Sequence, residues 1–144
     1  MREVSLIELE KNDAKFIQEN FSFAFRDSSL HSIEDWIVKS KGSLVFGIHY
    51  GDEKVGFITL GKKEDGALGW GIAIKTEYHR KGIASIAFDL AKNKARQLGY
   101  KKIISSCSTD NIASTKLHEK CGFKLIKTET NRGGYEMHRW ELEI

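Results

Sequence analysis

The sequence lacks proline entirely and contains two cysteines, Cys107 and Cys121. The absence of proline removes a residue that usually marks loops and turns in a sequence, but it excludes no fold class. The two cysteines do not form the spaced ligand set of a structural zinc site, so we expect free thiols and no bound metal. A cysteine nucleophile needs a histidine brought near by the fold, and the linear sequence does not argue for one.

Long apolar runs are also missing. No stretch approaches the roughly 18 residues that span a bilayer, and no apolar segment with a small-residue cleavage site follows the N-terminus. We therefore expect a soluble, cytoplasmic protein without a membrane partner. At 144 residues, the chain is long enough for one core and short for two. The prediction is a single domain over residues 1–144.

Positive charge is unevenly spread. The formal net charge is +3, but residues 75–102 contain eight Lys or Arg against two acidic residues. The rest of the chain is therefore net acidic. Some of these basic residues are expected to lie on a solvent-exposed helix face, and those next to a turn are expected to form an anion site. Nucleic acid is not favoured, because no stacking-aromatic motif accompanies the basic stretch.

Hydrophobic periodicity predicts an alternation of strands and helices. Ser32 followed by Asp35 resembles a capping box, which places the start of the second helix at Ser32. Either Asp110 or Asn111 can begin the last helix. The predicted strands are residues 4–9, 44–50, 55–60, 67–74, 101–107, 123–129 and 135–142, and helices begin near residues 13, 32, 82 and 111.

The most informative stretch covers residues 72–84, where a buried strand breaks into a polar turn and becomes a helix at Gly82. Arg80 and Lys81 stand at the entrance of that helix. A helix N-terminus has N–H groups without internal partners and a partial positive charge. The turn is therefore a physically reasonable phosphate site.

Two motifs now carry a resemblance to a known family. One is the turn His79-Arg80-Lys81-Gly82-Ile83-Ala84, which matches a Gln/Arg-x-x-Gly-x-Gly/Ala pattern. The other runs from Asn111-Ile112-Ala113-Ser114 to Glu119-Lys120-Cys121-Gly122-Phe123. Together they resemble the GNAT superfamily of acetyl-CoA-dependent N-acetyltransferases over essentially the whole chain. The resemblance implies a mixed α/β (α+β) fold: six or seven mainly antiparallel strands with a central, splayed parallel pair and about four helices.

The resemblance also implies a co-substrate site for acetyl-CoA, without a metal. Gly82 would let the backbone approach the pyrophosphate, and the pantetheine arm would pair with residues 72–74 as an added strand. The Ile74 N–H would polarise the thioester carbonyl. The implied coenzyme-binding residues are Ile72, Ala73, Ile74, His79, Arg80, Lys81, Gly82, Ile83, Ala84, Ser85, Asn111 and Ser114.

The sequence departs from the family pattern at two positions. His79 replaces the opening Gln or Arg, and His118 replaces a tyrosine that protonates the departing thiolate. His118 is either a general acid or a partly exposed helix residue, with water as the acid. Asn111 is predicted to cap its helix, and a contact between Asn111 and the pantetheine arm is an additional functional prediction.

The general base is not identified. Family members often carry a carboxylate on the strand before the glycine turn, and residues 67–74 contain none. Candidates from elsewhere are Glu77, Asp27, His49 and His138, each of which is also an ordinary surface residue.

The functional prediction is an N-acetyltransferase that moves acetyl from acetyl-CoA to a primary amine in a ternary complex. The acceptor is a small molecule or a peptide or protein N-terminus, and the acidic remainder mildly favours cationic amines. A non-catalytic acyl-CoA-binding or regulatory module is the alternative. An anion- or RNA-binding surface is a third hypothesis. The sequence is compatible with a homodimer.

Overall fold

The computed structural model describes residues 2–144, with Glu64 described by its backbone alone. These residues form seven strands and four α-helices. Their bounds are β1 Val4–Glu8, α1 Ala14–Phe21, α2 Leu30–Lys39, β2 Leu44–Tyr50, β3 Glu53–Lys62, β4 Leu68–Ile74, α3 Ile83–Gln97, β5 Lys102–Ser108, α4 Ile112–Lys120, β6 Lys124–Thr130 and β7 Glu136–Glu143.

The strands form one mixed sheet in the order β1-β2-β3-β4-β5-β7-β6. The pairs β1–β2, β2–β3, β5–β7 and β6–β7 are antiparallel, and β4–β5 is parallel. Parallel neighbours need a crossover, which α3 supplies. The predicted fold class, including the central parallel pair, is confirmed.

The parallel ladder is short. It joins Leu68 to Ile103 and Gly69 to Ile104, although β4 continues to Ile74 and β5 to Ser108. The recorded ladder between β4 and β5 thus consists of two residue pairs at the start of β4, and the splay implied by the family resemblance stays a prediction.

The chain forms two compact units. One runs up to Leu60 and resumes from Gly71 to Ala91; the other comprises Gly61–Trp70 and Lys92–Ile144. The prediction of a single domain is not tested by this division and stays a prediction. No helix among the described residues is long and apolar enough to cross a membrane.

The first unit has an aliphatic and aromatic core between α1, α2 and the strands. Phe57 lies at its centre and makes ring contacts with Phe21, Trp36 and Phe25. Ala73 of β4 packs against this core from the strand side. The buried core residues are Leu9, Ala14, Ile17, Phe21, Ile33, Ile37, Val45 and Phe57.

The start of α2 differs from the prediction. Ser29 is the N-cap residue, and its side chain accepts a hydrogen bond from the Ser32 N–H. Asp27 accepts from the Ser29 N–H at 3.0 Å and from the Ser32 hydroxyl at 2.6 Å. The capping box predicted at Ser32 is therefore wrong, because Asp27 and Ser29 nucleate the helix one turn earlier.

Candidate functional site

The glycine turn connects β4 to α3 and takes an unusual backbone path. After a 3-10 turn at Thr76–Tyr78, Arg80 has φ +63° and Gly82 has φ +78°. Glycine adopts this left-handed region freely, whereas arginine rarely does. Alternation between left- and right-handed residues turns successive N–H groups toward one side, which forms an anion-binding concavity. Arg80 is thus a backbone outlier of the kind that clusters at ligand sites.

The N–H groups of this turn are open. The first hydrogen bond into the helix runs from the Ile86 N–H to the Gly82 carbonyl at 3.3 Å. The Ser85 hydroxyl donates to the same carbonyl at 3.1 Å. Within residues 2–144, the N–H groups of residues 80–85 donate to no protein acceptor. They, together with the exposed Arg80 and Lys81, make the entrance of α3 electropositive.

His79 ties the turn to the end of β4. Its Nε2 lies 2.7 Å from the Ile74 carbonyl oxygen. A carbonyl only accepts, so Nε2 carries the hydrogen and donates it. His79 therefore holds the turn against the strand in this structure.

Tyr78 provides a second anchor for the turn. Its hydroxyl donates to the Glu53 carboxylate, and its ring packs edge-on against Tyr50. The Glu53 hydrogen bond raises the pKa of Tyr78, with a smaller contribution from burial. The phenol therefore remains protonated and keeps this bond at neutral pH.

The edge of β4 next to the turn carries the backbone groups of Ile72 and Ile74, of which the Ile74 carbonyl already accepts from His79. The Lys75 N–H donates to the Val55 carbonyl of β3 at 2.8 Å. Because backbone groups alternate along a strand, Ile72 and Ile74 direct their N–H and C=O groups to the opposite edge. That edge lies beyond the last pair of the β4–β5 ladder, at Gly69.

Close packing between β3 and β4 fixes the position of the end of β4. A Cβ built at Gly56 would lie 2.0 Å from the Ala73 carbonyl oxygen. Only glycine permits β3 to lie this close to β4, and the approach sets the position of residues 73–75.

The second motif forms the start of α4. The Asn111 side-chain oxygen accepts a hydrogen bond from the Ser114 N–H at 3.0 Å. Asn111 is thus the N-cap, as predicted. Its further reading as a pantetheine contact is not tested and stays a prediction. Ser114 directs its carbonyl oxygen to His118, whose Nδ1 is 2.7 Å away.

His118 lies in the interior, at 3% exposure. Its ring stacks on Trp140 at 5.1 Å between centroids and meets Trp70 and Phe123 edge-on. Burial lowers the pKa of His118, opposed in part by the Ser114 bond. The reading of His118 as a partly exposed helix residue is wrong, because this aromatic cage encloses the ring.

Ser105 of β5 is a hydrogen-bond partner of His118 that sequence reasoning missed. Its hydroxyl lies 2.8 Å from His118 Nε2. Thirteen residues separate the two along the chain, and no local pattern connects them. Only the packing of α4 on β5 brings them together.

The proposed bases are scattered. Glu77 pairs with Lys75 at 3.6 Å. His49 lines a cavity of about 220 Å³ in the first unit. His138 is hydrogen-bonded through Nδ1 to a threonine hydroxyl at 2.9 Å. The hydrogen bond from a serine hydroxyl, followed by one from a backbone N–H, holds the pKa of Asp27 below its ordinary value. Asp27 is therefore a weak base.

Among the described residues, no group of three or more His, Cys, Asp or Glu side chains could hold a metal ion. Cys107 and Cys121 are buried free thiols, as predicted. The Trp140 indole N–H donates to Cys107 Sγ at 3.3 Å.

Comparison with solved structures gives the same architecture at low sequence identity. An N-acetyltransferase from Staphylococcus aureus has a TM-score of 0.85 and 21% identity, with 98% of each chain covered. The yncA protein from Salmonella typhimurium, solved with its cofactor acetyl-CoA, has a TM-score of 0.80 and 14% identity, covering 99% of this chain and 94% of that one.

A spermidine N-acetyltransferase from Vibrio cholerae has a TM-score of 0.81 and 18% identity, covering 97% of this chain and 93% of that one. At these identities, the likeness shows the fold.

No curated protein sequence matches the chain. The family model described as Acetyltransferase (GNAT) family matches residues 12–123. Because this match covers most of the chain, the protein belongs to the GNAT acetyltransferase family.

Proposed function

We propose that this enzyme transfers an acetyl group from acetyl-CoA to a primary amine, which attacks the thioester directly in a ternary complex. The observation that carries the proposal is the open N–H groups of residues 80–85 at the entrance of α3. A pyrophosphate is the part of coenzyme A that such a turn suits, because it presents several anionic oxygens at once.

We infer that the donor lies along the edge of β4 that Ile72 and Ile74 face. The pantetheine arm carries amides that can pair with the backbone of Ile72 and Ile74 as an added strand. The Ile74 N–H then donates to the thioester carbonyl oxygen, where negative charge develops during attack. His79 supports this arrangement by holding the Ile74 carbonyl.

The acceptor is a primary amine of a small molecule or of a peptide or protein N-terminus. Outside the basic stretch at residues 75–102, the chain is net acidic, which mildly favours cationic amines. The Vibrio cholerae neighbour is named as a spermidine N-acetyltransferase. Polyamines therefore belong in the first acceptor panel, beside amino sugars and peptides.

A non-catalytic acyl-CoA-binding module is the second candidate. Two observations favour it: residues 67–74 carry no carboxylate to act as a base, and His118 is enclosed at 3% exposure. An ammonium acceptor must lose a proton before it attacks, so turnover needs another proton path.

One experiment separates the two candidates. Calorimetry measures acetyl-CoA binding, and a thiol-release assay measures turnover with spermidine, an amino sugar and a lysine-free peptide with a free N-terminus. The same peptide with a blocked N-terminus is the matched control. We expect binding, thiol release with at least one free amine, and none above background with the blocked peptide. Tight binding without release on any amine would favour the non-catalytic module, and no binding would overturn both.

A further inference from the structure

The backbone of the glycine turn has an energetically costly shape at Arg80. Its φ of +63° lies in the left-handed region that favours glycine. This conformation disfavours a residue with a Cβ by about 5- to 30-fold. Such a residue keeps its conformation only where the surrounding structure enforces it. The contacts on either side of Arg80 therefore decide whether the turn holds its anion-binding shape.

Hydrogen bonds after Arg80 begin late. Among the described residues, the first backbone bond is the one from the Ile86 N–H to the Gly82 carbonyl at 3.3 Å. That bond belongs to the start of α3 and does not reach back to Arg80. The enforcement must therefore come from the residues that precede Arg80.

Two side-chain hydrogen bonds precede Arg80 directly. The His79 ring donates to the Ile74 carbonyl, a bond that stays within the end of β4 and the turn. The Tyr78 hydroxyl donates to the Glu53 carboxylate at the start of β3. Of these two bonds, the one from Tyr78 ties the turn to another strand, only two residues before Arg80.

Further contacts hold both partners of the Tyr78–Glu53 bond. The Tyr78 ring packs edge-on against Tyr50, with 6.0 Å between the ring centroids. Arg2 pairs with the Glu53 carboxylate at 3.6 Å, and its guanidinium lies 5.3 Å from the centre of the Tyr50 ring. Tyr50 and Glu53 are partners across the β2–β3 hairpin. The end of this hairpin therefore keeps both the phenol and the carboxylate in place.

We propose that Tyr78 and Glu53 are positioning residues for coenzyme A, and that their hydrogen bond holds Arg80 in the left-handed conformation that opens the turn to the pyrophosphate. The inference rests on the proposed function, which assigns the pyrophosphate to this turn. Both residues act through the backbone of the turn, and not by contact with the coenzyme.

Loss of the bond acts on affinity through the population of the competent turn. Without it, the strain at Arg80 is no longer opposed from β3, and the backbone relaxes toward the right-handed region. Successive N–H groups then no longer point to one side. An apparent Kd rises by the factor by which the binding-competent state is depleted. We therefore expect the Kd for coenzyme A to rise about tenfold, within the range set by the strain.

The direct test removes one hydroxyl at a time from the two packed tyrosines. Y78F deletes the donor and keeps the ring, and E53A deletes the acceptor. Y50F is the matched control, because the Tyr50 hydroxyl makes no hydrogen bond among the described residues.

Calorimetric titration with coenzyme A measures Kd in each variant. We expect a rise of about tenfold in Y78F and in E53A, and a wild-type Kd in Y50F. The double variant Y78F/E53A should be no weaker than either single variant, because the two residues act as one pair. A wild-type Kd in Y78F would overturn the positioning role.

Two further measurements separate positioning from a general effect on the fold. Glycine adopts the left-handed region freely, so R80G removes the strain that the bond opposes. Y78F should therefore raise Kd much less in the R80G background than beside Arg80, and the missing arginine charge cancels in that ratio. Pantetheine, which lacks the pyrophosphate, should bind Y78F and the wild type equally. An equal effect of Y78F in both backgrounds, or an equal loss with pantetheine, would overturn the positioning role.

Urea unfolding checks that each variant is folded under the titration conditions. If Y78F does not fold, E53A alone and in the R80G background carries the same test. If the wild type binds no coenzyme A, the proposed function fails and the positioning role fails with it. If the wild type binds coenzyme A and Y78F binds it equally well, the positioning role alone fails.

Discussion

Gly82→Ala, compared with Gly99→Ala, isolates the role of the glycine turn. The two glycines flank α3 and share a left-handed backbone, with φ +78° and +92°. A Cβ at Gly99 would meet no atom within 4 Å. Alanine in this region costs about 1–2 kcal/mol. Both variants should therefore lose about this much unfolding free energy to backbone strain.

Coenzyme binding should separate the two variants. A hydrogen bond to a charged group contributes about 1.5–3 kcal/mol. If the altered turn at Gly82 displaces the pyrophosphate from two N–H groups, the loss is about 3–6 kcal/mol, or a rise of about 10²- to 10⁴-fold in Kd. Gly99 lies at the other end of α3, so its variant should bind coenzyme A normally.

Calorimetric titration with coenzyme A and urea unfolding together provide the assay. We expect the Gly82 variant to bind weakly and the Gly99 variant to bind as the wild type does, at comparable stability. Equal affinity in the two variants would refute the reasoning that the turn at Gly82 holds the pyrophosphate.

Three further predictions concern stability. Gly56→Ala should lower the unfolding free energy by about 1–3 kcal/mol through overpacking against β4. Gly61→Ala on the same strand should lack this clash cost, because its Cβ would have no atom within 4 Å. Equal losses in urea unfolding would contradict the clash. Asn111→Ala should lower the unfolding free energy by about 1 kcal/mol, because the helix cap is lost. Asp110→Ala, at the exposed neighbouring residue, should lower it much less. Thermal unfolding of the two variants checks this difference. Burial lowers the pKa of His118 in the folded protein below its ordinary value of 6.5, so between the folded and unfolded pKa values the unfolded chain binds more protons. The unfolding free energy should therefore fall as the pH drops below 6.5, and this loss should vanish in H118Q. Identical pH dependence in the two proteins would contradict the burial argument.

Short-range chemistry explains what the sequence predicted well. The start of α3 at the Gly82 turn and the cap at Asn111 depend on residue type and a few neighbours, so both are visible in the linear pattern. The crossover between β4 and β5 follows from strand–helix–strand order. The start of α2 was missed because two serines compete for the cap, and Asp27 favours Ser29.

Long-range packing explains what the sequence left open. The left-handed backbone of Arg80 is not signalled by its residue type, since arginine has no preference for that region. The burial of His118 depends on aromatic rings from three other segments. Its partner Ser105 lies on another element, so the pair emerges only when α4 packs against β5.

The most direct test of the central claim is a coenzyme A titration followed through backbone amide chemical shifts of the labelled protein. We expect coenzyme A to shift the amides of residues 80–85 and of Ile74 most strongly. Pantetheine, which lacks the pyrophosphate, should leave the amides of residues 80–85 almost unchanged. Saturable binding of coenzyme A that leaves the amides of residues 80–85 in place would contradict the claim that this turn holds the pyrophosphate.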